Sequence, residues 1–422
     1  MATTTMDRDV STTSRSVRQI VIGVILLIIA FAIWAIFGSN VESGVTTTFV
    51  LTPGGIESNL PDWIIPASLT LNFLAFACAF AGAYQLIRGF GERQNLALGG
   101  IAGVFIFAFL VWAAADNSLN IGGLMNSTLN KAVPITLGAM SGVLCERAGI
   151  VNIAIEGMML MGAMVGALVG SLTGNIWLGI LGAVIAGALL GLIHAVLSIK
   201  YLLDQIISGT VINIFAGGLT AFFSAKFMQT YQELNNPGIL KPFAIPILSK
   251  IPIAGPILFN NNIFIYAMFF FLIVLTVGLF STRWGLRLRS VGEHPKAADT
   301  LGINVFRTRY MAVLLGGMMA GFAGAYFTLG SVGRFDEFMT AGKGFIALAA
   351  MIFGNWTPFG AFGAALLFGF SEALAAKLAI LGVKIPSEFL LMTPYILTMI
   401  VLAGFVGRGQ MPAADGQPYE KE

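Results

Sequence analysis

The stretch Ile176-Trp-Leu-Gly-Ile-Leu-Gly-Ala-Val-Ile-Ala-Gly-Ala-Leu-Leu-Gly-Leu-Ile-His-Ala-Val-Leu-Ser-Ile199 carries one ionisable side chain, His194, and no proline. As a helix rising about 1.5 Å per residue it clears a hydrocarbon layer of roughly 30 Å, which takes about 20 residues. No side of that helix is polar enough to face water, so lipid or other apolar helices must surround it. The whole chain repeats the pattern. Of its 422 residues 57% are hydrophobic and only 10% charged, where soluble domains carry roughly 25% charged residues. The mean hydropathy is +0.87. This excludes a soluble enzyme and a disordered chain. Cys78 and Cys145 are the only cysteines and lie in or beside apolar runs, so a disulfide framework is excluded as well. The net charge of +3 is too small for a nucleic-acid binder, and the 51 glycines suit helices that approach closely in a bilayer.

Runs of similar character cover 20–37, 63–87, 96–115, 124–144, 150–172, 205–227, 263–280, 310–329 and 389–406, with a longer one at 344–379. Gly354-Asn-Trp-Thr-Pro358 interrupts the long run, since proline lacks a donor and disfavours a helical residue before it. The sequence therefore predicts an all-α polytopic membrane protein of about 11–12 transmembrane helices, one of them broken or re-entrant. An N-terminus in the cytoplasm puts Arg8, Arg15, Arg18, Arg88, Arg93, Arg147, Lys200, Arg283, Arg287, Arg289, Lys296, Arg307, Arg309, Arg408 and Lys421 inside. The external loop 38–61 then has no basic residue, only Glu42 and Glu57, as the positive-inside rule requires. The C-terminus also falls inside if 344–379 crosses an even number of times. The first apolar run is too long for a cleaved signal. Residues 1–18 and the tail 408–422 read as cytoplasmic ends, with the Thr/Ser-rich start and residues 411–422 expected to be disordered.

The classes left are a membrane enzyme, a transporter or channel, and the membrane half of a larger machine. His194 and His294 share no metal-ligand spacing with acidic residues, so neither a metal nor a catalytic group is expected, and His194 reads as a hydrogen-bonded bundle residue. An ion-coupled secondary transporter needs ionisable groups inside spans, for which Lys131, Glu156, Asp204 and Glu372 are the candidates. No Gly-x-x-x-x-Gly-Lys-Ser/Thr occurs; Gly342-Lys343-Gly344 is the nearest and lacks the hydroxyl. The chain itself therefore has no P-loop for ATP. Six of the 23 basic residues cluster between Arg283 and Arg309. Within this region Pro295 suits a first helical turn and Gly302 a left-handed cap, with Ala297, Ala298 and Leu301 able to form an apolar face. A two-turn helix is unstable alone, so it must dock. It is either a packed connector or a contact for a cytoplasmic motor.

Three stretches carry a resemblance: 284–304, with Gly285, Gly292, Ala297-Ala298 and Gly302-Ile-Asn304; Cys145-Glu-Arg-Ala-Gly-Ile-Val-Asn-Ile-Ala-Ile-Glu-Gly-Met-Met-Leu-Met-Gly-Ala163; and Thr340-Ala-Gly-Lys-Gly-Phe-Ile-Ala-Leu-Ala-Ala-Met-Ile-Phe-Gly-Asn-Trp356. Together they resemble ABC-importer permeases of the ribose/branched-chain amino-acid/nucleoside family, nucleoside/simple-sugar branch, with Cys145 where that branch usually has Ser. The resemblance covers about 121–407 and implies a permease core whose cytoplasmic coupling region is 282–309. Residues 19–120 form an extra three-helix segment to which it gives no function. It implies a transmembrane subunit of an ATP-driven importer of a small polar solute, nucleosides or simple sugars, in a bacterial cell membrane. The chain would hold no cofactor, ATP being bound by separate ATPase subunits. A second permease, preferably a different one, and an external solute-binding lipoprotein would complete the assembly. ATPase coupling falls to Gly292, Pro295, Ala297, Ala298, Leu301 and Gly302.

Translocation-pathway candidates are Asn152, Glu156, Asn213 and Phe345. Glu156 either bonds backbone exposed at a helix break near Gly149 or Gly157 or contacts the solute. Asn152 shares that ambiguity, Asn213 either bonds between helices or lines the path, and Phe345, Trp356 and Phe359 either pack or stack a planar ligand. Glu146 and Arg147 read as an interfacial ion pair or anchors. Lys131 either snorkels outward or lines the pore. The proline-rich segment 228–262 is the surface expected to receive a binding protein, or else a hairpin on the membrane.

Overall fold

A computed structural model describes residues 17–54, 60–382, 389, 392 and 410–421. They form two compact units. The first takes in residues up to Leu51 and Asn59–Ile121, the second essentially Gly122–Ile380 with the C-terminal tail.

In the first unit, α1 (Val17–Ala32) continues through a wider turn at Ile33–Phe37, and α2 (Ala67–Ile87) packs along it. The crossing is close: a methyl group on Gly23 would lie 2.5 Å from the Leu86 side chain and one on Gly82 3.0 Å from Leu27. After α3 (Gln94–Ala113) the chain closes a small sheet. Its central strand β1 (Thr46–Val50) runs antiparallel to β2 (Trp63–Pro66) and parallel to β3 (Ser118–Asn120), and Thr47 hydroxyl donates to the Val111 carbonyl at 2.8 Å. Phe73, Phe76 and Phe80 line the outer side of α2, where exposed rings suit lipid.

The second unit starts with α4 (Ile121–Glu146), which runs through Pro134 and is buried from Ala132 to its end. It is followed by α5 (Ile155–Thr173), α6 (Ile176–Ala195), α7 (Gln205–Phe223), α9 (Ile263–Ser281) and α12 (Val305–Ala325). Between α7 and α9 the connecting segment contains β4 (Phe243–Ala244), the short helix α8 (Ala254–Leu258) and β5 (Asn260–Asn261), the two strands paired antiparallel. Two further helices, α10 (Arg283–Glu293) and α11 (Pro295–Thr300), connect α9 to α12. The interrupted run resolves into α13 (Lys343–Phe353), a half-length helix of about 16 Å, and α14 (Pro358–Ile380). Asn355 and Trp356, at φ +52° and +51°, make the turn between them.

Small residues decide how α5, α6 and α12 meet. Gly187 and Gly191 on α6 face Gly317 and Gly321 on α12, so backbone touches backbone: a methyl on Gly187 would sit 2.2 Å from the Gly317 carbonyl oxygen. On the other side a methyl on Gly162 of α5 would meet the Gly321 carbonyl oxygen at 2.6 Å.

Among the described residues nine helices are long and apolar enough to cross a membrane. α4 is not one of them, its first half carrying Asn126, Ser127, Thr128, Asn130 and Lys131. An all-α polytopic membrane protein with one broken helix is thus what the chain folds into; the run at 389–406, apart from residues 389 and 392, and residues 1–16 lie outside the described residues. Two details differ from expectation. The run at 150–172 begins as a buried loop, because the chain from Arg147 to Ala154 is held by side chains of other helices before α5 starts. The tail is not disordered. Residues 410–421 fold back on α10, α11 and the start of α12, with Ala414 and Tyr419 buried and Gly416 turning the chain at φ +75°.

Candidate translocation seam and coupling face

The loop ahead of α5 is closed residue by residue. Val151 N–H donates to Gln205 Oε1 at 2.7 Å, and its carbonyl meets His194 Nε2 at 2.9 Å. The other ring nitrogen of His194 meets Ser208 Oγ at 3.0 Å, so this histidine is a doubly partnered bundle residue, as expected. Asn152 is fully buried; its Oδ1 accepts from Ala154 N–H at 3.1 Å and its amide lies 3.4 Å from Cys145 Sγ. Asn213 reaches over from α7, donating to Ile153 O at 2.9 Å and accepting from Gly157 N–H at 2.8 Å. Both asparagines thus supply the partners that an irregular backbone at membrane depth requires.

Glu156, one residue into α5, faces the start of α13. Its Oε1 accepts from Thr340 hydroxyl at 2.6 Å and Gly342 N–H at 2.9 Å, and its Oε2 from Gly344 N–H at 2.6 Å. A carboxylate there meets both the free N–H groups and the positive end of the helix dipole. The helix break it bonds is that of α13, not one near Gly149 or Gly157. Gly344 must lack a side chain because a methyl would fall 2.5 Å from Glu156 Cα. Phe345 is 49% exposed on this half-helix.

Beside the break, Lys131 Nζ lies 2.7 Å from Glu372 Oε1 and Lys343 Nζ 2.6 Å from Glu372 Oε2, tying α4, α13 and α14 together. The three side chains keep 32%, 15% and 27% exposure in the order Lys131, Lys343, Glu372. At about 1.5 Å per residue Lys131 stands about 15 Å into α4 and Glu372 about 12 Å from the end of α14, near the middle of a bilayer-length helix. Lys131 does not snorkel. Lys343 was missed because Gly342-Lys343-Gly344 invited only a search for a phosphate loop; its place at the edge of an apolar run was the available signal.

At the end of α4, Glu146 and Arg147 do not pair with each other. Trp356 Nε1 donates to Glu146 Oε2 at 2.5 Å, and Arg147 donates to the carbonyls of Trp356 at 2.9 Å and Asn355 at 3.1 Å. Burial, and then the like charge of Arg289, lower the Arg147 pKa. Helix α10 is capped by Thr282, whose hydroxyl accepts from Gly285 N–H at 3.1 Å. Gly292 packs against Arg147, where a methyl would meet the carbonyl oxygen at 2.3 Å, and Gly302 takes the expected left-handed conformation at φ +79°. The apolar face expected of α11 is divided: Ala298 is 2% exposed, packed with Val291, Val305 and Tyr419, whereas Ala297 is exposed and Leu301 is 82% exposed. Leu301 also rims a depression of about 650 Å³ with Trp284, Arg287, Asn304 and Arg307. On the opposite face Gln229, Glu233, Asn236, Arg334 and Glu337 line another of about 600 Å³.

The tail closes over this region. Ala414 N–H donates to Gly292 O at 2.9 Å, Arg309 donates to Gln417 O at 3.1 Å, and Lys421 pairs with Asp299 at 3.2 Å. Burial pushes the Asp415 carboxyl up to about 7 from 3.8, against the opposing effects of its hydrogen bond with Glu146 and of Arg309. The docked tail therefore holds a proton that a free tail releases. Docking should be tightest below about pH 4, weaken as pH rises toward 7 and level off above it. Proteolytic nicking of the tail should rise between pH 5.5 and 8, and Asp415→Asn should flatten that dependence; equal nicking of the wild type at both values would refute it.

Residues 124–403 match the family described as branched-chain amino acid transport system / permease component. The chain is 42% identical over 310 residues to the guanosine ABC transporter permease protein NupQ of Bacillus subtilis, a match spanning 71% of this chain and 96% of that protein. It is 42% identical over 316 residues to the nucleoside ABC transporter permease protein NupC of Lactococcus lactis, across 72% and 98% of the two. With the putative glucose ABC transporter permease protein TsgC13 of Haloferax volcanii it shares 34% over 323 residues, 71% and 98% respectively. No solved structure matches it. A bundle of apolar helices with a half-helix capped at mid-depth, matched over most of its length, makes this chain a multi-pass membrane permease of the branched-chain amino acid transport system permease family.

Proposed function

We propose that the chain is the membrane subunit of an ATP-driven importer whose solute is a nucleoside, simple sugars being the next choice. The observation that carries this is the 42% identity to the two relatives named for guanosine and nucleosides, extending over 96% and 98% of their lengths. In this reading the membrane is bacterial and both termini are cytoplasmic. Separate ATPase subunits bind ATP, the chain needs no cofactor of its own, a second and different permease completes the pathway, and an external lipoprotein delivers the solute to the depression at 229–236 and 332–337. The solute passes the start of α13, where Glu156 and Asn213 hold the two helix starts in place, Asn152 braces the loop behind them and Phe345 offers a half-exposed ring. An ion-coupled secondary transporter draws no support from the carboxylates: Glu156 is committed to three donors and Glu372 to two ammonium groups.

The test is uptake of labelled guanosine and ribose into vesicles holding the complete transporter. Accumulation that needs internal or external ATP on the motor side, and a binding protein on the other, is expected; uptake driven by an ion gradient without ATP would overturn the reading.

Coupling runs through the α10–α11 turn. Gly292, Pro295, Ala298 and Gly302 shape it, and Ala297 and Leu301 touch the motor. Leu301→Asp puts a charge into the centre of that contact and should weaken ATPase association by about 30-fold, the scale of a hot-spot residue. Chromatographic behaviour of the lone permease should not change, because the side chain is exposed in the chain. Undiminished copurification with the ATPase would count against this contact.

A further inference from the structure

The polar side chains of α4 form a stripe. Asn126 and Asn130, and Ser127 and Lys131, stand four residues apart, and all four are half-buried where the following turns of the helix are sealed. Asn130 bonds back to Asn126 at 2.9 Å and accepts from Tyr326 hydroxyl at 2.9 Å, so the stripe is held in place by the bundle. It leads to Lys131, Glu372 and Lys343, where two ammonium groups share one carboxylate and a positive charge is left over. A half-exposed cation at mid-bilayer depth is turned away from lipid, toward water or a second chain.

The bonding capacity left at this cluster is specific. Each ammonium has three N–H donors and gives one to Glu372, while each carboxylate oxygen accepts one and keeps a further lone pair. A pair of neighbouring hydroxyls is the complement: one accepts from an ammonium while the next donates to the carboxylate. Guanosine and glucose, the solutes for which two of the relatives are named, differ in ring size and in the purine base, but both carry vicinal hydroxyls on a sugar ring. We propose that Lys131, Lys343 and Glu372 read the vicinal diol of the solute inside the membrane, at the end of the α4 stripe. This rests on the importer reading above and adds to it the part of the solute that the permease itself recognises.

The test is ATP-driven uptake by the complete transporter in vesicles, comparing guanosine with 2′-deoxyguanosine, which lacks one of the two hydroxyls. The binding protein is the same throughout, so a change in the ratio between variants comes from the permease. The ratio of kcat/KM values should fall about ten-fold in Lys343→Met, Lys131→Met and Glu372→Gln, the scale of one lost hydrogen bond to a charged group. Lys343→Arg should retain most of it. Copurification with the partners monitors assembly. If a neutral variant does not assemble, Glu372→Asp is read instead, with at least a three-fold change in ratio expected. A ratio unchanged across the assembled variants overturns the proposal and marks the cluster as a tie between helices. Wild-type vesicles that import neither nucleoside nor sugar overturn the importer reading, and this proposal with it.

Discussion

Replacing Gly321 by leucine should prevent the bundle from assembling. The α-carbon of Gly321 sits where α12 passes between α5 and α6, and even a methyl group there would stand 2.2 Å from the Ala183 carbonyl oxygen and 3.1 Å from Gly187 Cα. Those neighbours are backbone, so no change of rotamer relieves the clash and the helices must separate. Overpacking of a core costs about 1–3 kcal/mol where side chains can adjust, and more is expected where helices have to part. Separation also undoes the contact of Gly317 with the Gly187 carbonyl oxygen one turn away, now 2.5 Å for an added methyl. Little monodisperse protein should be recovered in detergent from Gly321→Leu, and Gly321→Ala should melt well below the wild type. Gly218→Ala is the control: nothing lies within 4 Å of an added methyl there, and it should melt at or slightly above the wild-type temperature. A Gly321→Ala protein with wild-type melting would show that the interface is looser than these contacts require.

Glu156→Ala should have the second largest effect, and a different one. The helix packing stays, but Thr340 hydroxyl and the N–H groups of Gly342 and Gly344 lose their acceptor. A buried donor left unpaired costs about 1–3 kcal/mol, so the loss over three groups is about 3 kcal/mol or more. The cost falls on the start of α13, which should fray toward its middle while the rest of the bundle holds. Uptake should be lost, and amide exchange should accelerate selectively at 342–346. Glu156→Gln keeps one acceptor but turns an NH₂ toward N–H groups, so it should rescue only part of the protection. Exchange at 342–346 as slow in Glu156→Ala as in the wild type would mean that α13 does not depend on this cap. The order of effects also separates the two roles weighed for Glu156: a residue that only touched solute would change uptake without changing exchange.

Several features were readable residue by residue. The break at Gly354–Pro358 shows in sequence because proline lacks a donor and disfavours a helical residue before it, whereas the left-handed turn at Asn355 and Trp356 shows only in the structure. Pro295 and Gly302 announce α11 for the same kind of reason, since each constrains its own backbone. The division of α11 into an inward Ala298 and an outward Leu301 could not be read, because it depends on where Val291, Val305 and Tyr419 come to lie. The tail misled for a related reason. Its composition is polar, yet two well-placed apolar residues, Ala414 and Tyr419, find a surface 100 residues and more away in sequence, and a composition argument has no access to that.

By itself the sequence determined the solvent of this protein, the approximate positions of most of its helices and the break at 354–358. Apolar run length, proline and glycine act locally, through the free energy of transferring a segment into lipid and the allowed angles of single residues. Only the tertiary structure decided which polar groups meet. Glu156 and Gly344, or Lys131, Glu372 and Lys343, are separated by up to 241 residues along the chain and become partners when the helices pack. In a bilayer an unpaired donor or charge is costly enough that packing must settle where each one goes. The apolar runs account for the membrane, while the few polar groups joined between them account for how the helices are tied to one another.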